Sequence, residues 1–169
     1  MKVSLNWIKD YADINVSTRD YTEAMTMSGT KVEGYEKLGE DIQNVVVGRI
    51  LSTEKHPDSD HLIICQLDVG EGKPLQIVTG AQNVKAGDLV PVCKNGALLP
   101  GGKTIKTGKL RSVLSEGMLC SLGELGLDKH DFPYAIEDGI FILEEDCKPG
   151  DDIKDVCMLD DTIVDFELT

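Results

Sequence analysis

The sequence predicts an α+β chain that is mainly β, with about five short strands in a small barrel or sandwich between two shorter αβ pieces. Three observations lead there. From Val45 onward, the β-branched runs "VVVGRILSTE", "LIICQLDVG", "LQIVTG", "DLVPVCK" and "GIFILEED" alternate with turn-rich stretches. Ahead of them, the first forty residues carry helical spacing followed by one alternating run. After them, "DDIKDVCMLDDTIVDFELT" returns to a helix-then-strand character.

The elements follow in chain order. "SLNWIKDYADI" reads as helical, as does "STRDYTEAMTMSG", where Tyr21, Ala24, Met25 and Ser28 recur at i, i+3, i+4 and i+7. Ser17, three residues before Asp20, forms a weak capping box, and Gly29 is placed to end the helix. "TKVEGYEKL" alternates like a strand. About forty residues are too few for an independent core. The middle strands are punctuated by "HPDSD", "GEGKP", "KNG" and "LPGGK". Their regular spacing favours an all-β unit over βαβ units. It fits a five-stranded Greek-key barrel of the OB type, with a short helical piece at "SLGELGL", and fits a sandwich equally. The closing "TIVDFEL" ends as the chain ends, which reads as a domain cut short and a chain that is a piece of a longer one.

A length of 169 residues allows one generous domain or two small ones. No apolar run approaches the ~20 residues needed to cross a bilayer, and the start lacks the apolar region and cleavage site of a signal peptide, so a cytoplasmic location is expected. Cys65, Cys93, Cys120, Cys147 and Cys157 include no CxxC pair, which argues against structural zinc and for reduced thiols filling the core. The net charge of −13 is uneven. Residues 1–44 carry five Lys/Arg against eight Asp/Glu, giving −3; residues 45–127 carry nine against eight, giving +1; residues 128–169 carry three against fourteen, giving −11. An RNA-binding surface is therefore confined to the middle, as a local patch.

In "HPDSDH", His56 and His61 are separated by five positions with Pro57 between, so they share no helical face. Pro57, Asp58 and Ser59 make a turn before the strand that starts at Leu62, and no metal site is expected. "PGGKTIKTGKLR" holds Lys103, Lys106, Lys109 and Arg111 without an acid. That pattern suits a phosphate-tracking stripe and a lysine-protected strand edge equally well. A P-loop is excluded because GxxxxGK[ST] is missing. "SVLSEGMLCSLGELGL" lacks the GxSxG of a serine nucleophile, and Met118 and Leu119 read as core residues at a loop-to-helix junction. Residues 45–127 contain no Phe, Tyr or Trp, so any RNA contact there is electrostatic rather than stacked. No catalytic residue is assigned.

The stretches "MKVSLNWIKDY", "VVVGRILSTEKHPDSDHLIICQLDVG", "IVTGAQNVKAGDLVPVCKNGALLPGG", "KLRSVLSEGMLCSLGELGL" and the closing "FELT" resemble, in register from Met1 to Thr169, the bacterial phenylalanine–tRNA ligase beta-subunit family. The resemblance implies an OB-type barrel at residues 40–150, similar to the tRNA-binding domain appended to other synthetases. It implies that this barrel is inserted into a split α/β domain whose first part is 1–39 and whose second part starts at 151–169. Two positions depart from the family's pattern. Its turn commonly reads His-Pro-Asn/Asp-Ala-Asp-Lys-Leu, where this chain has Ser59 and His61. Its Leu-Arg-Gly-Val has Ser112 in place of glycine.

The resemblance further implies a non-catalytic N-terminal region of an ATP- and Mg²⁺-dependent ligase that joins phenylalanine to its tRNA in protein biosynthesis. Such a ligase is an alpha2-beta2 assembly, so an alpha subunit is an expected partner, while no membrane or DNA partner is. The region's own expected task is auxiliary contact with tRNA backbone through Arg49, Lys55, Lys94, Lys103, Lys106, Lys109 and Arg111, with Asn83 and Ser115 as neutral donors. The alternative is a structural packing module with no RNA contact. No metal or cofactor is expected within the chain itself.

Overall fold

The computed structural model describes residues 1–168. Along the chain run β1 (Lys2–Ser4), α1 (Leu5–Lys9), α2 (Thr18–Met27), β2 (Val32–Lys37), β3 (Gln43–Lys55), β4 (Ile63–Asp68) and β5 (Leu75–Thr79). Then come β6 (Leu89–Leu99), β7 (Lys103–Thr104), β8 (Gly108–Leu110), β9 (Val113–Ser115), β10 (Gly117–Leu119), a 3-10 turn at Gly123–Leu125, α3 (Ile153–Val156) and β11 (Thr162–Phe166). They fall into two compact units: Met1–Glu40 with the chain from Met158, and Asp41–Cys157.

The first unit is an antiparallel sheet in the order β1-β11-β2. Its apolar centre is Leu5, Val164 and Phe166, joined by Val3, Ile8, Ile14, Tyr21 and Met25. Tyr21 and Met25 thus land where their helical spacing points. Ser4 Oγ accepts the Trp7 N–H at 3.0 Å and Ser17 Oγ accepts the Asp20 N–H at 3.1 Å, so each helix starts on a hydroxyl cap. The first helix is shorter than the expected 4–14: it stops at Lys9, and the chain unwinds so that Ile14 can reach the core. Strand β1 carries too few residues to show any alternation, and pairing with β11 is what makes it a strand.

The second unit holds an antiparallel sheet in the order β10-β6-β3-β4-β5, with β7 added to β6. The β6-β3-β4-β5 portion has the Greek-key arrangement, in which the fourth strand returns beside the first. Strand β3 spans both neighbours, pairing with β6 over its first half and β4 over its second. A bulge between Ile50 and Ser52 bends it there. The two ends of the sheet meet. The Glu116 N–H donates to the Gln76 carbonyl at 2.8 Å, and the Val78 N–H donates to Ser115 Oγ at 3.1 Å. The result is barrel-like, filled by Ile50, Cys65, Leu67, Val69, Ile77, Val84, Val90, Val92, Leu119 and Ile140.

One expected strand is corrected. "GIFILEED" forms no strand; it is an extended segment bonded once to the Cys120 carbonyl through Phe141 N–H and once to the Leu89 carbonyl through Leu143 N–H. Its apolar residues plug the core instead of joining a ladder, with Phe141 packed on Phe132 and Tyr134. The fifth strand of the sheet is β10, within the stretch read as a loop-to-helix junction.

Gly117 is indispensable to that strand, because a Cβ there would collide with the Cys93 carbonyl oxygen. Gly117→Ala is expected to cost at least about 2 kcal/mol in denaturant unfolding, as overpacking against backbone does. Gly108→Ala, in open space, is expected to stay within about 0.5 kcal/mol; equal effects of the two would contradict the packing described. Cys65, Cys93, Cys120 and Cys157 are buried and Cys147 is half-buried. Burial pushes the Cys65 thiol up to about 11 and the Cys157 thiol up to about 12. A thiol reagent at pH 8 should label Cys147 first and the other four only on unfolding. Fast native labelling of several cysteines would argue against this core.

Candidate nucleic-acid interface

Two connections flank the face of β4 and β5, the region where OB-type barrels hold oligonucleotides. The first is the turn between β3 and β4. The His56 N–H donates to the Leu62 carbonyl at 3.0 Å and the Asp58 N–H to His56 Nδ1 at 3.0 Å, so "HPDSDH" is the stiff turn that Pro57 and Asp58 indicated. Among the described residues no three of His, Cys, Asp and Glu converge as metal ligands would. The second connection, from β6 to β10, contains β7 and the β8–β9 hairpin and carries the basic stripe.

The two connections touch. His56 Nε2 lies 3.0 Å from the Leu110 carbonyl, the Arg111 guanidinium donates to the Asp58 carbonyl at 3.2 Å, and Ser112 Oγ donates to Asp58 Oδ2 at 3.1 Å. Lys55 immediately precedes His56 at the end of β3, and Lys109 and Arg111 bracket Leu110. Three cationic side chains, all exposed, therefore belong to one end of the sheet. Lys106 is exposed just upstream, where Ile105 and Thr107 are bonded to Ala97 and Asn95. Among the described residues no carboxylate pairs with Lys55, Lys106, Lys109 or Arg111; the barrel unit's ion pairs involve other lysines.

The hairpin tip is unusual. Leu110 pairs with Val113, so Arg111 and Ser112 form a two-residue loop, with φ of 45° and 72°. A tight hairpin of this kind requires left-handed backbone at both positions, which glycine and asparagine adopt most easily. A non-glycine residue there costs about 1–2 kcal/mol, and the Asp58 contacts help to hold it.

The remaining expected contacts separate from this edge. Lys94 is ion-paired with Glu71 and lines a hollow shared with Glu116, so its charge is neutralised. Lys103 sits 3.5 Å from Glu124. Arg49 lies in the middle of β3, opposite Asp68 and Leu89, far along the strand from the loops. It shares its surroundings with Asp151, Glu145 and Asp146, which after burial raise the Cys147 thiol while Arg49 lowers it. The two neutral donors are both engaged within the fold. Asn83 uses both ends of its amide on the Ile140 backbone, at 2.9 and 3.0 Å. Ser115 is buried, with Oγ donating to the Gly117 carbonyl at 2.9 Å and accepting from Val78.

Sequence reasoning missed two participants, His56 and Ser112. The turn signal around His56 was visible, but its second bond reaches a residue 54 positions away. The barrel unit also contains aromatics beyond residue 127. Tyr134 stacks on Phe141 and its hydroxyl donates to Glu145, so its ring is anchored among acids and is no platform for a nucleobase.

Residues 45–152 match the family described as "Putative tRNA binding domain". Over all 169 residues the chain is 47% identical to the phenylalanine–tRNA ligase beta subunit of Clostridium acetobutylicum and 47% identical to that of Staphylococcus haemolyticus. In each case all of the chain aligns, and it spans 21% of the relative's length. Among solved structures, a MetRS-related protein from Pyrococcus horikoshii aligns at 24% identity and a TM-score of 0.45, over 65% of this chain and 87% of the other. The match across the barrel unit shows that the chain belongs to the family described as "Putative tRNA binding domain", and over its whole length it is similar to part of these phenylalanine–tRNA ligase beta subunits.

Proposed function

We propose that the barrel unit holds the sugar–phosphate backbone of tRNA against the edge made by Lys55, Lys106, Lys109 and Arg111, as a non-catalytic, auxiliary part of a phenylalanine–tRNA ligase acting in the cytoplasm. The observation that carries this reading is the contact between the two connections. It brings Lys55, Lys109 and Arg111, none with a carboxylate partner among the described residues, to one end of the sheet in a chain of net charge −13, with Lys106 exposed further back along the same connection. Phosphate contacts of this type position a nucleic acid without reading its sequence, which suits a surface with no available stacking ring. The two compact units are read as a barrel inserted into a split α/β domain.

In this reading the remainder of such a beta subunit, with an alpha subunit in an alpha2-beta2 assembly, carries out attachment of phenylalanine to tRNA. ATP and Mg²⁺ belong to that larger assembly. This chain's contribution is to hold the tRNA, not to take part in the bond-forming step. A second reading, a packing module without RNA contact, is favoured by the neutralised Lys94 and Lys103, which behave as structural lysines on a sheet edge.

A salt titration of tRNA binding by the 169-residue chain separates the two. Electrostatic binding weakens linearly in log–log form, and each of Lys106→Ala, Lys109→Ala and Arg111→Ala should reduce the slope by about 1. Lys94→Ala and Lys103→Ala should leave it nearly unchanged. If the chain binds no tRNA even at low salt, the packing role stands; if all five variants lose equally, the edge described above is not the contact.

A further inference from the structure

The β8–β9 hairpin forms a two-stranded sheet of its own. Three residues per strand are too few to be stable in isolation, so its position depends on what holds its ends. At the base, Ser115 and Glu116 join it to β5. At the tip the buried anchor is His56, 4% exposed. Because the Asp58 N–H points at Nδ1, that nitrogen accepts, and the ring's hydrogen sits on Nε2, donating to the Leu110 carbonyl. One neutral imidazole thus bonds both connections at once, and the residues bracketing Leu110 are Lys109 and Arg111.

We propose that His56 is a positioning residue for backbone binding: it holds the basic hairpin against the 56–62 turn and so fixes the spacing between Lys55 and the Lys109–Arg111 pair. The inference rests on the reading of this edge as the tRNA contact. Charges held in place before binding need no ordering when the phosphates arrive. Ser112 and Asp58 assist from the solvent side, where their bond restrains a left-handed tip built without glycine. His56 touches no ligand in this scheme; it acts through Leu110.

Two substitutions divide the imidazole's roles. His56→Asn retains an acceptor for the Asp58 N–H and is too short to reach Leu110. His56→Gln places an amide near the position of Nε2 and retains the link to the hairpin. His56→Asn should weaken tRNA binding about three- to tenfold, as re-ordering a loosened hairpin would, while His56→Gln should bind within about twofold of wild type. A double-mutant cycle supplies the readout that a general loss of stability would not move. In a Lys109→Ala/Arg111→Ala background, His56→Asn should cost little more, because the charges it positions are gone. Ser112→Ala, an exposed change that removes the hydroxyl shared between the Asp58 carboxylate and the Arg111 carbonyl, gives an independent and smaller loss. Wild-type affinity for both His56→Asn and Ser112→Ala, or full additivity in the cycle, overturns the inference while leaving the tRNA contact intact. Unchanged binding by Lys109→Ala/Arg111→Ala would overturn the reading of the edge itself, and the inference with it.

Discussion

The junction at Ser115 and Glu116 is what the rest of the barrel unit depends on. The Ser115 hydroxyl accepts from Val78 and donates to Gly117, while Glu116 bonds Gln76 through both its backbone N–H and its carboxylate. These contacts bring the two ends of an open sheet together and satisfy backbone groups that would otherwise form an exposed edge. Curling the sheet in this way is also what carries the β3–β4 turn and the β6–β10 connection to a common end. The polar stitch and the cationic edge are therefore consequences of the same closure.

Electrostatics then restrict where a polyanion can approach. The chain as a whole carries −13, and its last forty-two residues hold most of that excess. Glu71 and Glu124 neutralise Lys94 and Lys103, and Arg49 lies beside an acidic segment. Among the described residues, Lys106, Lys109 and Arg111 keep their charge unpaired along one connection, with Lys55 at the turn that touches it. Repulsion elsewhere discriminates among docking orientations as effectively as attraction at these cations. The exposed ion pairs contribute little to stability, and their larger effect is to remove competing sites for phosphate.

Four of the sheet's five principal strands were legible because long β-branched runs flanked by turn residues have few alternative conformations. Strand β10 was not, since three residues beginning with glycine show no period. "GIFILEED" misled for the opposite reason: its apolar residues are buried by plugging the core, and burial alone does not make a ladder. At the site, the charges themselves were readable in the sequence, but their availability was not. Lys94 and Lys103 are neutralised by residues 23 and 21 positions away, and Asn83 is engaged by a backbone 57 positions away. Pairings of that range leave no local signature. The stiff turn at His56 could be inferred from proline and aspartate chemistry, whereas its bond to Leu110 required the fold.

The first unit has a distinct character because its middle strand arrives late. Strands β1 and β2 each pair with β11 and not with each other. During synthesis the opening forty residues therefore emerge without the template that organises them, and the intervening barrel unit can fold while they wait. Contacts of such long sequence separation form slowly, so residues 1–40 stay open to chaperones and proteases until β11 has been made.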